Sequence, residues 1–215
     1  NALNGSMTIN DGKVIAGGFS SEGRNVIQGT IGNQTSVVFG TSTPVELNLA
    51  SNVINLIPFE RIGSLAGGLA TSVVNLAGAS SNAVLAVGGN NSSTTYNGRI
   101  RGGASSWLVK EGDGTFTWNN DDSLVMDGII RIEKGVLHSG GSLGLSQSST
   151  VSLSNANSGL VVATTDAASE TLSALVGGGH GAQQTFPNGA PGALSGGFLA
   201  SGTPTVTIST NSLIL

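Results

Sequence analysis

The chain has 215 residues, of which 34 are glycine, 9% charged and 4% aromatic, with a formal net charge of −4. So little basic charge excludes a nucleic-acid face, which needs clustered Lys and Arg. Plentiful aliphatics with a small net charge exclude a disordered chain, and the lack of cysteine excludes disulfides and thiolate metal centres.

In chain order, short runs of alternating apolar and polar residues fall at 35–39, 45–49, 53–57, 73–76, 84–87, 107–110, 115–118, 124–126, 129–132, 135–138, 142–145, 150–153, 160–162, 172–176 and 205–208. Gly, Asn and Ser separate them, and a new run starts about every 8–14 residues, which is the spacing of an all-β sandwich, barrel or solenoid. β-branched residues suit a pleat, and Gly and Asn suit positive φ. The Ala- and Leu-rich stretch 64–76 is interrupted by Gly67 and Gly68, which disfavours a helix there. No apolar run approaches the roughly 18 residues of a membrane span.

The brevity and similarity of the runs favour a solenoid. A loose phrase recurs: Gly63-Ser64-Leu65-Ala66-Gly67-Gly68, Gly141-Ser142-Leu143-Gly144-Leu145 and Ala193-Leu194-Ser195-Gly196-Gly197, each followed by an alternating run at 73–76, 150–154 or 204–208. Units this small bury an apolar face only by stacking. At roughly 20–25 residues per coil the chain makes about nine or ten coils, and at ~4.8 Å per coil a rod on the order of 45 Å long. It reads as one all-β domain, 1–215, with divergent coils at 1–62, a repeat-like core at 63–165, and further coils with an edge strand at 166–215.

The segment 96–137 reads Tyr96-x-Gly98-x-Ile100-x-Gly102, then Leu108-x-Lys110-x-Gly112-x-Gly114-Thr115-Phe116-x-Trp118, then Gly128-Ile129-x-x-Ile132-x-x-Gly135-x-Leu137. It resembles the autotransporter-associated β-strand repeat, with its Leu-x-Lys-x-Gly-x-Gly-x-Leu core. Phe116 and Trp118 replace the usual Leu, and Asn119-Asn120-Asp121-Asp122 replaces the usual Asn-Thr-Tyr-x-Gly turn. The stretch 85–96 is similar to the sequence that precedes such repeats, whereas 1–60 matches little beyond the general pattern. The resemblance implies a right-handed parallel β-helix on the bacterial cell exterior. The familiar C-terminal membrane barrel has no counterpart in this sequence.

Few side chains offer chemistry. The two histidines, His138 and His180, with no cysteine, make a poor zinc set, and both read as turn or surface residues. No Gly-x-Ser-x-Gly elbow appears, and the chain is expected not to be an enzyme. A polysaccharide-cleaving solenoid or phage tail-spike domain needs paired carboxylates, and only Asp121, Asp122 and Asp127, beside Asp113, gather in sequence. No cofactor is expected. The one cation candidate is Ca²⁺ held by Asn119, Asp121 and Asp122, although turn chemistry alone accounts for those residues. The glycine-rich stretch 177–182 lacks the Asp of a calcium repeat and the Lys of a phosphate loop, so it reads as a loop. Arg99, Arg101, Lys110 and Arg131 read as a solvated face.

Alternation about Leu108 turns Phe116 and Trp118 inward and gives Trp107, Val109 and Glu111 the opposite parity. An outward Trp107 would grip a sugar ring, meet a neighbouring chain or pack under a loop. The strand-forming end 205–215, with Val206 and Ile208, reads as an edge that templates further strands. The expected function is an extracellular structural protein of the bacterial surface, self-associating into a fibre or matrix through open solenoid ends. The alternative is a surface adhesin binding glycans or host surfaces.

Overall fold

A computed structural model describes residues 4–16, 26–28, 31–49, 57–77, 83–119, 126–139, 150–153, 158–163, 169–172, 174–177, 197–201, 205–208 and 213–214. The first coil comprises β1 (Ser6–Ile9), β2 (Gly12–Ile15) and β3 (Val26–Gln28), and the second β4 (Ser36–Phe39), β5 (Val45–Asn48) and β6 (Ile57–Ile62). The third has β7 (Ser64–Gly67), β8 (Val73–Asn75) and β9 (Val84–Val87), and the fourth β10 (Thr94–Tyr96), β11 (Arg99–Arg101) and β12 (Trp107–Lys110). Next come β13 (Thr115–Trp118) with β14 (Ile129–Ile132), and β15 (Gly135–Ser139) with β16 (Thr150–Leu153). Two final sets follow: β17 (Ser158–Ala163), β18 (Ser169–Leu172) and β19 (Ala174–Gly177), then β20 (Gly197–Ser201), β21 (Thr205–Ile208) and β22 (Leu213–Ile214).

These strands stack by coil. The first sheet runs β1-β4-β7-β10-β13-β15-β17-β20, the second β3-β6-β9-β12-β14-β16-β19-β22, the third β2-β5-β8-β11, and a fourth pairs β18 with β21. The described ladders are parallel, as when Leu108 lies between Leu85 and Ile130. The protein is therefore a parallel β-solenoid, and no helix occurs among the described residues. Each long sheet holds eight strands, where repeat length predicts nine or ten coils. Early coils are longer than that repeat: Ser36 and Ser64 stand 28 residues apart, against 22 between Ser93 and Thr115.

Inward residues build one continuous core. Phe39, Tyr96 and Trp118 stand on the inner side of the first sheet, opposite Leu85, Leu108 and Ile130 of the second. The Phe39 and Tyr96 rings meet edge to face at 5.3 Å, and the Trp118 indole Nε1 donates to the Gly98 carbonyl at 2.9 Å. Each fully buried large side chain contributes about 1.5–3 kcal/mol. The inward parity expected of Phe116 and Trp118 is observed.

At the corner leading from the second sheet to the first, Gly88, Gly112 and Gly135 all adopt positive φ. A Cβ on Gly112 would stand 2.0 Å from the Gly88 carbonyl oxygen, and one on Gly88 would stand 1.9 Å from that of Glu111. Glycine is required because stacked backbones leave no room for a methyl group. The recurring phrase does not mark equivalent positions. Its first copy holds β7 and its third leads into β20, both in the first sheet, while 141–145 lies outside the described residues. The runs that follow fall in the third, second and fourth sheets respectively.

Candidate functional site

The strands β9, β12 and β14 of the second sheet turn alternate residues inward. Leu85, Leu108 and Ile130 enter the core, so their neighbours face out. Phe59, Val84, Trp107 and Ile129 are consecutive register partners. All four are half-buried and stand apart from the core cluster. Beside them runs a second outer row, Arg61, Ala86, Val109 and Arg131. Ala86 and Val109 are buried yet belong to no part of the core cluster, so neighbouring side chains shield them from outside.

One of those neighbours is Arg61. Its guanidinium lies over the Phe59 ring, 5.2 Å from the centroid, and its Nη2 reaches Glu111 Oε1 at 2.9 Å. Arg61 belongs to β6 and Glu111 follows β12, with β9 between them. The arginine side chain therefore spans a whole coil and covers Ala86. Burial pushes the Glu111 carboxyl above its usual range, and Arg61 opposes that shift. At the far end of the row, Arg131 Nε meets Glu133 Oε1 at 3.3 Å. The result is an apolar strip centred on Trp107 and edged by neutralised Arg–Glu pairs.

The outer faces of the third and first sheets carry polar pairs. On the third sheet Lys13 pairs with Glu46 at 3.0 Å, and the Asn48 amide donates to Glu46 at 3.1 Å. On the first sheet the Ser64 hydroxyl donates to Ser36 at 3.1 Å, and the Asn90 amide donates to both.

Lys110 corrects an expectation: it is not on a solvated face. It is 1% exposed, in the inward row with Val87 and Ile132. Its stem fills core space, and its ammonium turns into the glycine corner, donating to the carbonyls of Glu111, of Gly112 at 2.8 Å and of Lys134 at 3.1 Å. Three acceptors satisfy all three donors. Burial lowers its pKa to about 8, against the pull of Asp113 and Glu111. Glu60 is a second inward charged residue that the sequence did not reveal; it is buried in register with Leu85 and accepts the Ile31 amide at 2.6 Å.

The remaining candidates are dispersed. Asn119 is exposed and donates its amide to Asn97 at 3.2 Å, while Asp121 and Asp122 lie outside the described residues. Asp113 pairs with Lys134 at 2.8 Å. Among the described residues no three His, Cys, Asp or Glu gather to hold a metal. His138 sits half-buried in β15, where burial lowers its pKa; His180 and 178–182 lie outside the described residues. Val206 and Ile208 fall in β21, paired with Glu170 and Leu172 of β18.

No family model, curated protein or solved structure matches this chain. The chemistry of the site therefore rests on its own residues. The outer second sheet combines an aromatic plane, aliphatic neighbours and fixed donor–acceptor pairs. That equipment suits contact with another molecule. Trp107 was legible as an outward residue. Glu111 shared that parity, whereas Phe59 and Arg61 were not legible, because only the stacking register places them beside it.

Proposed function

We propose that this protein is a non-catalytic structural solenoid of the bacterial exterior, a rod that lengthens by adding further coils or copies at its ends. The observation that carries this reading is the sheet order. Among the described residues β1 and β20 bound the first sheet, and β3 and β22 the second, so each bounding strand pairs on one side only. An unpaired parallel edge offers the same amide and carbonyl pattern that every interior strand already satisfies. Val206 and Ile208, on the bounding strand β21, belong to such an edge.

The autotransporter-type repeat supports placing the rod outside the cell. Its Leu108, Lys110, Gly112 and Gly114 fall in β12 and the turn after it, and the lysine and Gly112 are joined by a hydrogen bond. Sedimentation of the purified chain across a wide concentration range, with electron microscopy of the same material, tests the proposal. Linear particles that lengthen with concentration are expected, and the double substitution of Val206 and Ile208 by lysine should shorten them. A strict monomer at high concentration would refute the reading.

A further inference from the structure

We propose that the outer face of the second sheet around Trp107 binds a neutral polysaccharide chain lying along the coil axis. This inference is independent of end-to-end assembly, because it concerns the flank of the rod. Phe59, Val84, Trp107 and Ile129 form one row at successive coils, about 4.8 Å apart. An apolar strip one side chain wide, running along a rod, fits an extended chain better than a globular partner. The C–H face of a sugar ring stacks on the indole plane, and the neighbouring aliphatics continue that contact.

The charges at the edge select the occupant. Arg61 is paired with Glu111 at 2.9 Å and Arg131 with Glu133 at 3.3 Å, so the face carries fixed donors beside fixed acceptors with no net charge. Hydroxyl groups both donate and accept, and they match such pairs. An acidic or basic polymer would gain from one member of each pair and be repelled by the other.

The test is a fluorescence titration of the whole chain with hexamers of β-linked glucose, mannose and xylose, with polygalacturonate as the acidic comparison. Trp118 is 1% exposed, so a ligand-dependent fluorescence change in the wild type reports Trp107, and isothermal titration calorimetry measures the affinity of the wild type and of each variant. Saturable binding of at least one neutral hexamer is expected. Trp107→Ala should weaken it at least about tenfold, and Trp107→Tyr should retain most of it. Because Trp107 is half-buried, Ile129→Ser serves as a second variant, expected to weaken binding with an unchanged circular dichroism spectrum. Three outcomes overturn the proposal: no neutral hexamer binding at about 1 mM, wild-type affinity in Trp107→Ala, or binding of polygalacturonate alone. Light scattering that shows a dimer dissolved by Trp107→Ala overturns it in favour of a second copy.

Discussion

The third sheet and the first sheet line the same core with different residues. In the early coils the third sheet closes the triangle, and its inward Leu47, Val74 and Ile100 fill one wall of the core with aliphatics. In the coil that follows, Gly102 bridges Met126 in parallel on that side. Beside that bridge three large residues are buried, Phe116, Trp118 and Met126. One wall of the core is thus built from aliphatics stacked coil on coil, and another from the larger rings of Phe39, Tyr96, Phe116 and Trp118 on the first sheet.

That contrast is sharpest at Trp118. Replacing it with alanine should cost about 3–5 kcal/mol, because a buried indole and its hydrogen bond to Gly98 are both lost. Urea unfolding measures the loss, and a cost no greater than that of Val74→Ala on the third sheet would break the comparison. Next in size is Gly112→Ala. The methyl group would collide with the Gly88 carbonyl at a positive φ, with backbone strain alone on the order of 1–3 kcal/mol, read as a lowered melting temperature.

Lys110 gives a pH signature. Its pKa falls from the ordinary 10.5 to about 8 in the folded protein, so the unfolded chain holds the proton more tightly. Stability should therefore rise between pH 8 and 10.5. Lys110→Met should flatten that rise in unfolding measured across the range, and a rise of equal slope in the variant would contradict the assignment. Smallest of all should be Lys13→Ala on the third sheet. It removes a half-exposed ion pair with Glu46, typically worth about 0–1 kcal/mol, and melting should scarcely move.

The fold was largely legible. Strands at 84–87, 107–110, 115–118, 129–132, 150–153 and 205–208 coincide with predicted runs, because β-branched and aromatic residues alternate there. β2, β10 and β11 were not anticipated: Gly12–Ile15, Thr94–Tyr96 and Arg99–Arg101 are short, and the last two are mostly polar. They owe their extended form to the strands beneath them, which intrinsic propensity does not record. The run 172–176 divides between β18 and β19. Lys110 was misread for a related reason. A lysine belongs inside only when carbonyls converge on it, and two of its acceptors come from the following turn while the third, Lys134, comes from the next coil. The apolar row on the second sheet was equally hidden, since its members lie a coil apart in sequence.

The matched ladders on the second sheet also bear on how such a gene changes. β12 meets the same kind of strand on either side, with Trp107 between Val84 and Ile129, so each coil answers only to its immediate neighbours. A block equal to the 22-residue offset between Ser93 and Thr115 can thus be duplicated or deleted with the ladders still closing and the glycine corners still superposed. Slipped replication, which adds or removes whole blocks, would alter the reach of the rod while leaving its cross-section intact.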